Sequence, residues 1–150
     1  MKGRIARIFT SFIDVPDAIA VAIFFSGCSI RCKGCQNKDI WDPTSGTLMS
    51  DIEVLQKVKD NTLADCVAFL GGEPTDQLPF LLEMCSQIKQ HTKLPIALYT
   101  GREFEDLPQE LLDHLFMVVC GPYREDLQKK GWPASSNQRV FKKKELTWGI

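Results

Sequence analysis

The sequence lacks any run of about eighteen apolar residues, the length from which a membrane-spanning helix is recognised. It also lacks an excess of charge, because 18 basic side chains stand against 19 acidic ones. Proteins that bind nucleic acid through its phosphates carry an excess of basic residues. We therefore expect no membrane and no nucleic acid as partners, and the lysines at 142–144 are interpreted as a solvated segment.

Motifs that bind nucleotide phosphates are missing as well. The sequence contains neither Gly-x-Gly-x-x-Gly nor the phosphate loop that ends in Gly-Lys-Ser/Thr. Its 6 cysteines follow no regular secreted pattern, which favours a reducing compartment, the cytoplasm. Residues 25–28 resemble a lipoprotein cleavage site, but Asp14, Pro16 and Asp17 stand directly before the short apolar run, which disfavours a signal peptide.

Three cysteines lie close together on one stretch, as Cys28, Cys32 and Cys35. Thiolates are preferred ligands of iron-sulfur clusters and of structural zinc. Three ligands leave one iron of a four-iron cluster open to a substrate or cofactor, as in catalytic rather than structural metal sites. Zinc sites built from cysteines more often contain two separated pairs of cysteines. The three cysteines outside this stretch are expected to pack in the buried core. The residues that could complete a zinc site instead are Cys66, Cys85, Cys120 and His91.

The rest of the chain alternates between strand and helix patterns. After a strand or hairpin at 4–13, we expect strands at 20–25, 66–70, 95–99 and 116–120. Helices are expected between them, at 78–91 and at 108–115. Another is expected after a capping box of Ser50 and Glu53, where Ile52, Leu55, Val58 and Lys59 follow at helical spacing. This alternation predicts an α/β fold of parallel βαβ units. A complete (β/α) barrel takes about 250 residues, so the chain predicts a truncated, open partial barrel with a largely parallel sheet.

Several segments together carry a resemblance to a known family. The order and spacing of Cys28, Cys32 and Cys35 after an apolar strand resemble the cluster loop of the radical S-adenosylmethionine (SAM) enzymes, and the segment 71–74 matches their glycine-glycine-glutamate motif. Gly121-Pro122-Tyr123 and the later segment 135–140 resemble the activating proteins of anaerobic (class III) ribonucleotide reductases. The resemblance spans most of the chain and implies a single radical SAM domain over residues 1–150.

The resemblance implies the cofactors and the partners. Cys28, Cys32 and Cys35 would bind a [4Fe-4S] cluster, and a one-electron donor such as flavodoxin or ferredoxin would reduce it. SAM would be cleaved to methionine and a 5′-deoxyadenosyl radical, which abstracts hydrogen from a glycine of the large subunit of the reductase. No residue is assigned as a catalytic acid or base. The residues expected to border SAM are Gly71, Gly72, Glu73 and Gly34, with Tyr99, Thr100 and Gly101 as weaker candidates.

The sequence departs from the family pattern at two positions. Gly34 stands where an aromatic residue usually contacts the adenine, so backbone and other apolar residues must hold that ring. Cys120 stands where an acidic residue is common, and no catalytic role is assigned to it. The segment 135–140 is expected to border the radical site or to be a surface loop before an edge strand. A radical SAM enzyme that acts on a small molecule, similar to deazaguanine synthases, and a non-catalytic zinc module remain as alternatives.

Overall fold

A computed structural model describes residues 1–35, 37–144 and 147–149. The strands are β1 Lys2–Ser11, β2 Ala20–Phe25, β3 Thr47–Ser50, β4 Cys66–Gly71, β5 Ile96–Thr100, β6 Met117–Cys120, β7 Arg139–Lys144 and β8 Thr147–Gly149. The α-helices are α1 Asp51–Asp60, α2 Leu78–His91 and α3 Gln109–Leu112, and short 3₁₀ helices span Lys38–Ile40, Pro74–Gln77, Phe104–Asp106 and Glu125–Leu127. Within these described residues, no helix is long and apolar enough to cross a membrane.

The described strands form one open sheet in the order β3-β1-β2-β4-β5-β6-β7-β8. The central strands β2, β4, β5 and β6 run parallel to one another. The flanking strands β1, β3, β7 and β8 pair antiparallel with their neighbours. The sheet is therefore partly parallel, and the prediction of a largely parallel sheet is too strong. The cause is that both flanks add hairpin-like strands, which need no crossover helix.

The two faces of the sheet carry different side chains. Phe25, Phe69 and Leu98 face the helices, where they pack with Leu81 and Ile88 of α2. The opposite face carries four alanines of the parallel strands among larger strand side chains, and loop residues cover it. That layer includes Ala20, Ala22, Ala68 and Ala97 from the strands, with Val15, Ile40 and Trp132 from the loops.

Local signals predicted α1 and α2, whereas α3 is shorter than predicted. Ser50 caps α1 in a capping box with Glu53, as predicted, because each satisfies a backbone N–H of the first turn. Ile52 is 72% exposed, and Val54 is buried beside Leu55 and Val58. The helix α2 has the predicted bounds, whereas α3 is only the four-residue turn Gln109–Leu112. The strand β7 is not an edge strand, because it pairs with both β6 and β8.

Candidate functional site

The three clustered cysteines lie on the loop that leaves the carboxyl end of β2. Gly27 turns the chain there with φ +91°, and its N–H donates to the Ile40 carbonyl at 2.6 Å. The Cys28 N–H donates to the Trp41 carbonyl at 3.1 Å, so the loop is closed against the 3₁₀ helix Lys38–Ile40. Cys28, Cys32 and Cys35 are free, partly buried thiols. We call residues 26–37 the cluster loop.

All three thiols line one cavity of about 190 Å³, and so do residues at the carboxyl ends of the other parallel strands. Backbone N–H groups approach the sulfur atoms. Arg31 donates to the Cys28 Sγ at 3.4 Å, and Asn37 donates to the Cys35 Sγ at 3.4 Å. Burial raises the pKa of the Cys28 and Cys32 thiols, and backbone N–H groups, Tyr123 in the case of Cys32, oppose that rise. These N–H groups therefore favour the thiolate form, which is the form that binds metal.

The donor set on this loop consists of three thiols, and thiolates are the ligands that hold iron-sulfur clusters. A structural zinc ion takes four protein ligands. The candidates for a fourth zinc ligand lie elsewhere: Cys66 begins β4 at the opposite edge of the sheet, Cys85 is buried within α2, His91 ends α2, and Cys120 faces the helices.

Gly71 and Gly72 bring the end of β4 against the cluster loop. The Gly72 N–H donates to the Phe25 carbonyl at 3.0 Å, and the Glu73 N–H donates to the Gly27 carbonyl at 2.8 Å. Gly71 has φ +116°, and a Cβ on Gly72 would collide with the Gly27 carbonyl oxygen. Both glycines line the cavity, so the predicted contact with a ligand is available to their backbone. The need for glycine at position 72, however, comes first from the cluster loop.

Glu73 joins the ends of β4 and β5. Its side chain is 1% exposed, and one carboxylate oxygen accepts hydrogen bonds from the Thr75 N–H and hydroxyl and from the Thr100 hydroxyl. The other oxygen, Oε1, accepts from the Gly101 N–H at 2.7 Å. Most of its acceptor capacity is therefore used inside the protein. Glu73 borders the cavity, and its main contribution is to fix the two strand ends that form the cavity wall.

Tyr99 also borders the cavity, with its hydroxyl fixed on the far side. That hydroxyl donates to the Asp14 carbonyl and accepts from the Trp132 indole N–H at 3.0 Å. Burial raises the pKa of Tyr99, so the phenol stays protonated. Thr100 and Gly101 line the same cavity.

Gly34 is not among the described residues that line the cavity. It adopts φ +76°, and a Cβ there would lie 2.8 Å from the carboxyl carbon of Glu125. Glycine is therefore explained by the backbone conformation and by the packing of Glu125 over the loop. Cys120 is fully buried on the helix side of the sheet.

A hydrogen-bond network that was not predicted from the sequence connects the cluster loop to the loops that follow β4 and β5. Asp76 accepts from the Ser29 N–H at 2.8 Å and from the Ser29 hydroxyl at 2.8 Å. Arg102 donates to the same Asp76 carboxylate at 2.9 Å and to the Ser29 hydroxyl at 3.1 Å. The only available signal was that Asp76 and Arg102 each follow a predicted strand end within a few residues.

The polar segment 135–140 lies partly at the cavity and partly beside it. Gln138 lines the cavity. Arg139 lies in ion pairs with Glu103 at 2.9 Å and with Glu105 at 2.6 Å. Gln138 therefore brings this segment to the cavity, whereas the Arg139 guanidinium is paired with carboxylates of the same chain.

Comparison with known proteins adds independent findings. Residues 18–141 match the family described as 4Fe-4S single cluster domain. The anaerobic ribonucleoside-triphosphate reductase-activating protein of Enterobacteria phage T4 is 29% identical over 144 residues, which cover 91% of this chain and 92% of that protein. The protein of the same name from Vibrio cholerae is 29% identical over 134 residues, 80% of this chain and 85% of that protein.

A third relative has a different named target. The pyruvate formate-lyase-activating enzyme of Clostridium pasteurianum is 32% identical over 128 residues, which cover 79% of this chain and 52% of that enzyme. The matches confirm the resemblance to the activating proteins that the motifs indicated. With the family match spanning the cysteine loop and all four parallel strands, this chain belongs to the 4Fe-4S single cluster domain family.

Proposed function

We propose that this protein is a glycyl-radical-enzyme activase of the radical SAM type. Its partner is the large subunit of an anaerobic ribonucleotide reductase. The observation that carries the proposal is the cavity at the carboxyl ends of the parallel strands, where three free thiols face the backbone of Gly71 and Gly72. Ligands of open α/β sheets bind at this edge. The whole chain acts as one partial-barrel domain, and the cytoplasm remains the predicted compartment.

Residues of the cavity wall have separate tasks in this proposal. Cys28, Cys32 and Cys35 hold a [4Fe-4S] cluster, and the segment 71–73 with Tyr99 borders SAM. When bound, the cluster would supply to SAM the electron for its cleavage to methionine and the 5′-deoxyadenosyl radical that takes hydrogen from the glycine of the partner, and a one-electron donor such as flavodoxin or ferredoxin would reduce the cluster again. The side chains themselves provide no acid or base.

The task of the chain is to position the cofactors and to exclude water. The backbone N–H groups of Arg31 and Asn37 stabilise thiolates at the cluster loop. Leu70, Val119 and Ile30 supply apolar surface to the cavity wall, which lowers the access of water. Outside this wall the sheet stays open, so a segment of a partner protein can approach the cavity from the side.

The test is reductive cleavage of SAM by the anaerobically reconstituted protein. Methionine and 5′-deoxyadenosine should form in equal amounts with a chemical reductant. Cys32→Ala should lose both the bound iron and the cleavage. Cys85→Ala is the matched control, because Cys85 is buried among helix contacts, and it should retain the iron. Full iron content in Cys32→Ala, or zinc as the bound metal of the wild-type protein, would contradict the proposal.

A further inference from the structure

Two amide side chains link the segment after Pro133 to the segment after β6. Asn137 donates from Nδ2 to the Pro122 carbonyl at 2.9 Å, and Gln138 donates from Nε2 to the Gly121 carbonyl at 3.2 Å. Their oxygens are used within their own segment. Asn137 accepts from the Ser135 hydroxyl at 2.7 Å, and Gln138 accepts from the Ser135 N–H at 3.1 Å.

Ser135 anchors this pair of amides. Its side chain is 0% exposed, and its hydroxyl oxygen accepts from the Arg124 N–H at 3.2 Å. The Ser136 N–H also donates to the Leu127 carbonyl at 2.9 Å. Each amide is thus oriented by an acceptor bond to Ser135, so that its N–H₂ group points to residues 121 and 122. We call residues 121–127 the covering segment.

The covering segment lies on the cluster loop. The Glu125 side chain packs where Gly34 has no side chain, since a Cβ at Gly34 would lie 2.8 Å from the Glu125 carboxyl carbon. Tyr123 lines the same cavity as the three cysteines, and its backbone N–H opposes the rise in the pKa of the Cys32 thiol. Cys28 and Cys35 accept hydrogen bonds from backbone N–H groups of the cluster loop itself, at Arg31 and Asn37.

We propose that Asn137 and Gln138 are positioning residues that hold the covering segment on the cluster loop, so that the Tyr123 N–H donates to the Cys32 thiolate. The proposal rests on the proposed function in one respect, that Cys32 binds the cluster. A hydrogen bond to a cluster sulfur stabilises the more negative, reduced state and raises the reduction potential. Loss of the amide donors therefore lowers that potential and loosens the covering segment.

Isosteric variants remove the N–H₂ donors while keeping the shape of the side chains. Asn137→Asp and Gln138→Glu keep the oxygens that accept from Ser135, and they place a second oxygen against the carbonyls of Pro122 and Gly121. Gln128→Glu is the control for charge, because it adds the same charge to an exposed residue next to the covering segment. Gln138→Met removes the donor without adding a charge.

Hydrogen exchange of the cluster-free protein gives the first readout. In the double variant Asn137→Asp/Gln138→Glu, amides of residues 121–127 should exchange several-fold faster than in wild type. Peptides from β2 and α2 should exchange as in wild type, which verifies that the variant is folded. Unchanged exchange in residues 121–127 would overturn the proposal, and this readout does not depend on a cluster or on SAM.

The reduction potential of the reconstituted cluster gives the second readout. Gln138→Glu and Gln138→Met should both lower it, while Gln128→Glu should leave it at the wild-type value. An equal fall in Gln138→Glu and Gln128→Glu would be a charge effect and would overturn the link to Cys32, as would faster exchange with an unchanged potential. A wild-type protein that binds the cluster without cleaving SAM would contradict the proposed function alone.

Discussion

Replacement of Glu73 by glutamine should loosen the cavity wall. The carboxylate receives four donors, of which two are backbone N–H groups, at Thr75 and Gly101, and two are the hydroxyls of Thr75 and Thr100. Glutamine offers one acceptor oxygen and one N–H₂ group. Because backbone N–H groups cannot turn away, the amide nitrogen must face one of them, and that donor is left unpaired in a buried site.

The magnitude follows from these contacts. A hydrogen bond to a charged group contributes about 1.5–3 kcal/mol, and an unpaired buried donor costs about 1–3 kcal/mol. We therefore expect the free energy of unfolding to fall by about 2–4 kcal/mol in Glu73→Gln. For a chain of 150 residues, each kcal/mol shifts Tm by about 2–4 °C, so Tm should fall by about 5–15 °C.

Thermal unfolding of the cluster-free protein, followed by circular dichroism, measures this change. The matched control is Glu83→Gln on α2, where a partly buried carboxylate accepts from the Gln87 side chain at 3.0 Å. The control should change the unfolding free energy by no more than about 0.5 kcal/mol. Equal melting temperatures of Glu73→Gln and wild type would refute the reasoning, because the buried carboxylate would then be replaceable by an amide.

Further variants test other contacts. Gly72→Val places a side chain against the Gly27 carbonyl, and equilibrium binding to the reconstituted protein should show SAM affinity reduced by at least about tenfold; unchanged affinity would contradict the packing. Ser50→Ala removes the helix cap and should lower the unfolding free energy in urea by about 1 kcal/mol. Hydrogen bonds from Arg139 lower the pKa of the Glu105 carboxyl from 4.5 to about 2, so this pair stabilises the fold above pH 4.5 and loses that contribution as the pH falls towards 2. In Arg139→Ala, a carboxyl titration by NMR should place the pKa of Glu105 back near its ordinary value.

The elements that were predicted from sequence are those whose signal is local. The strand β2 is buried on both faces and reads as a continuous apolar run, and α2 shows helical spacing between a proline in its first turn and its last basic residues. The three cysteines follow that apolar run directly. Since the carboxyl ends of parallel strands share one edge of the sheet, the glycines at the end of β4 were expected to lie near the three cysteines. The cysteines and the glycines line one cavity.

The features that escaped prediction depend on residues distant in the chain. The strand β3 is four residues long and is stabilised by pairing with β1, and β8 depends on β7 in the same way. Glycine at position 34 is explained by Glu125, which lies ninety-one residues later. Nothing local to Asn137 or Gln138 indicates that their amides bind the carbonyls of Pro122 and Gly121. Long-range hydrogen bonds of this kind leave no periodic pattern in a sequence.

Transfer of a radical to the partner is the most direct test of the proposed function. The reduced, reconstituted protein is incubated anaerobically with SAM and the large subunit of the anaerobic reductase, and the mixture is examined by electron paramagnetic resonance. The account predicts the doublet of a glycyl radical on the reductase, which is absent without SAM and absent with Cys32→Ala. Cleavage of SAM that leaves the reductase without a glycyl radical would contradict the assignment of this partner.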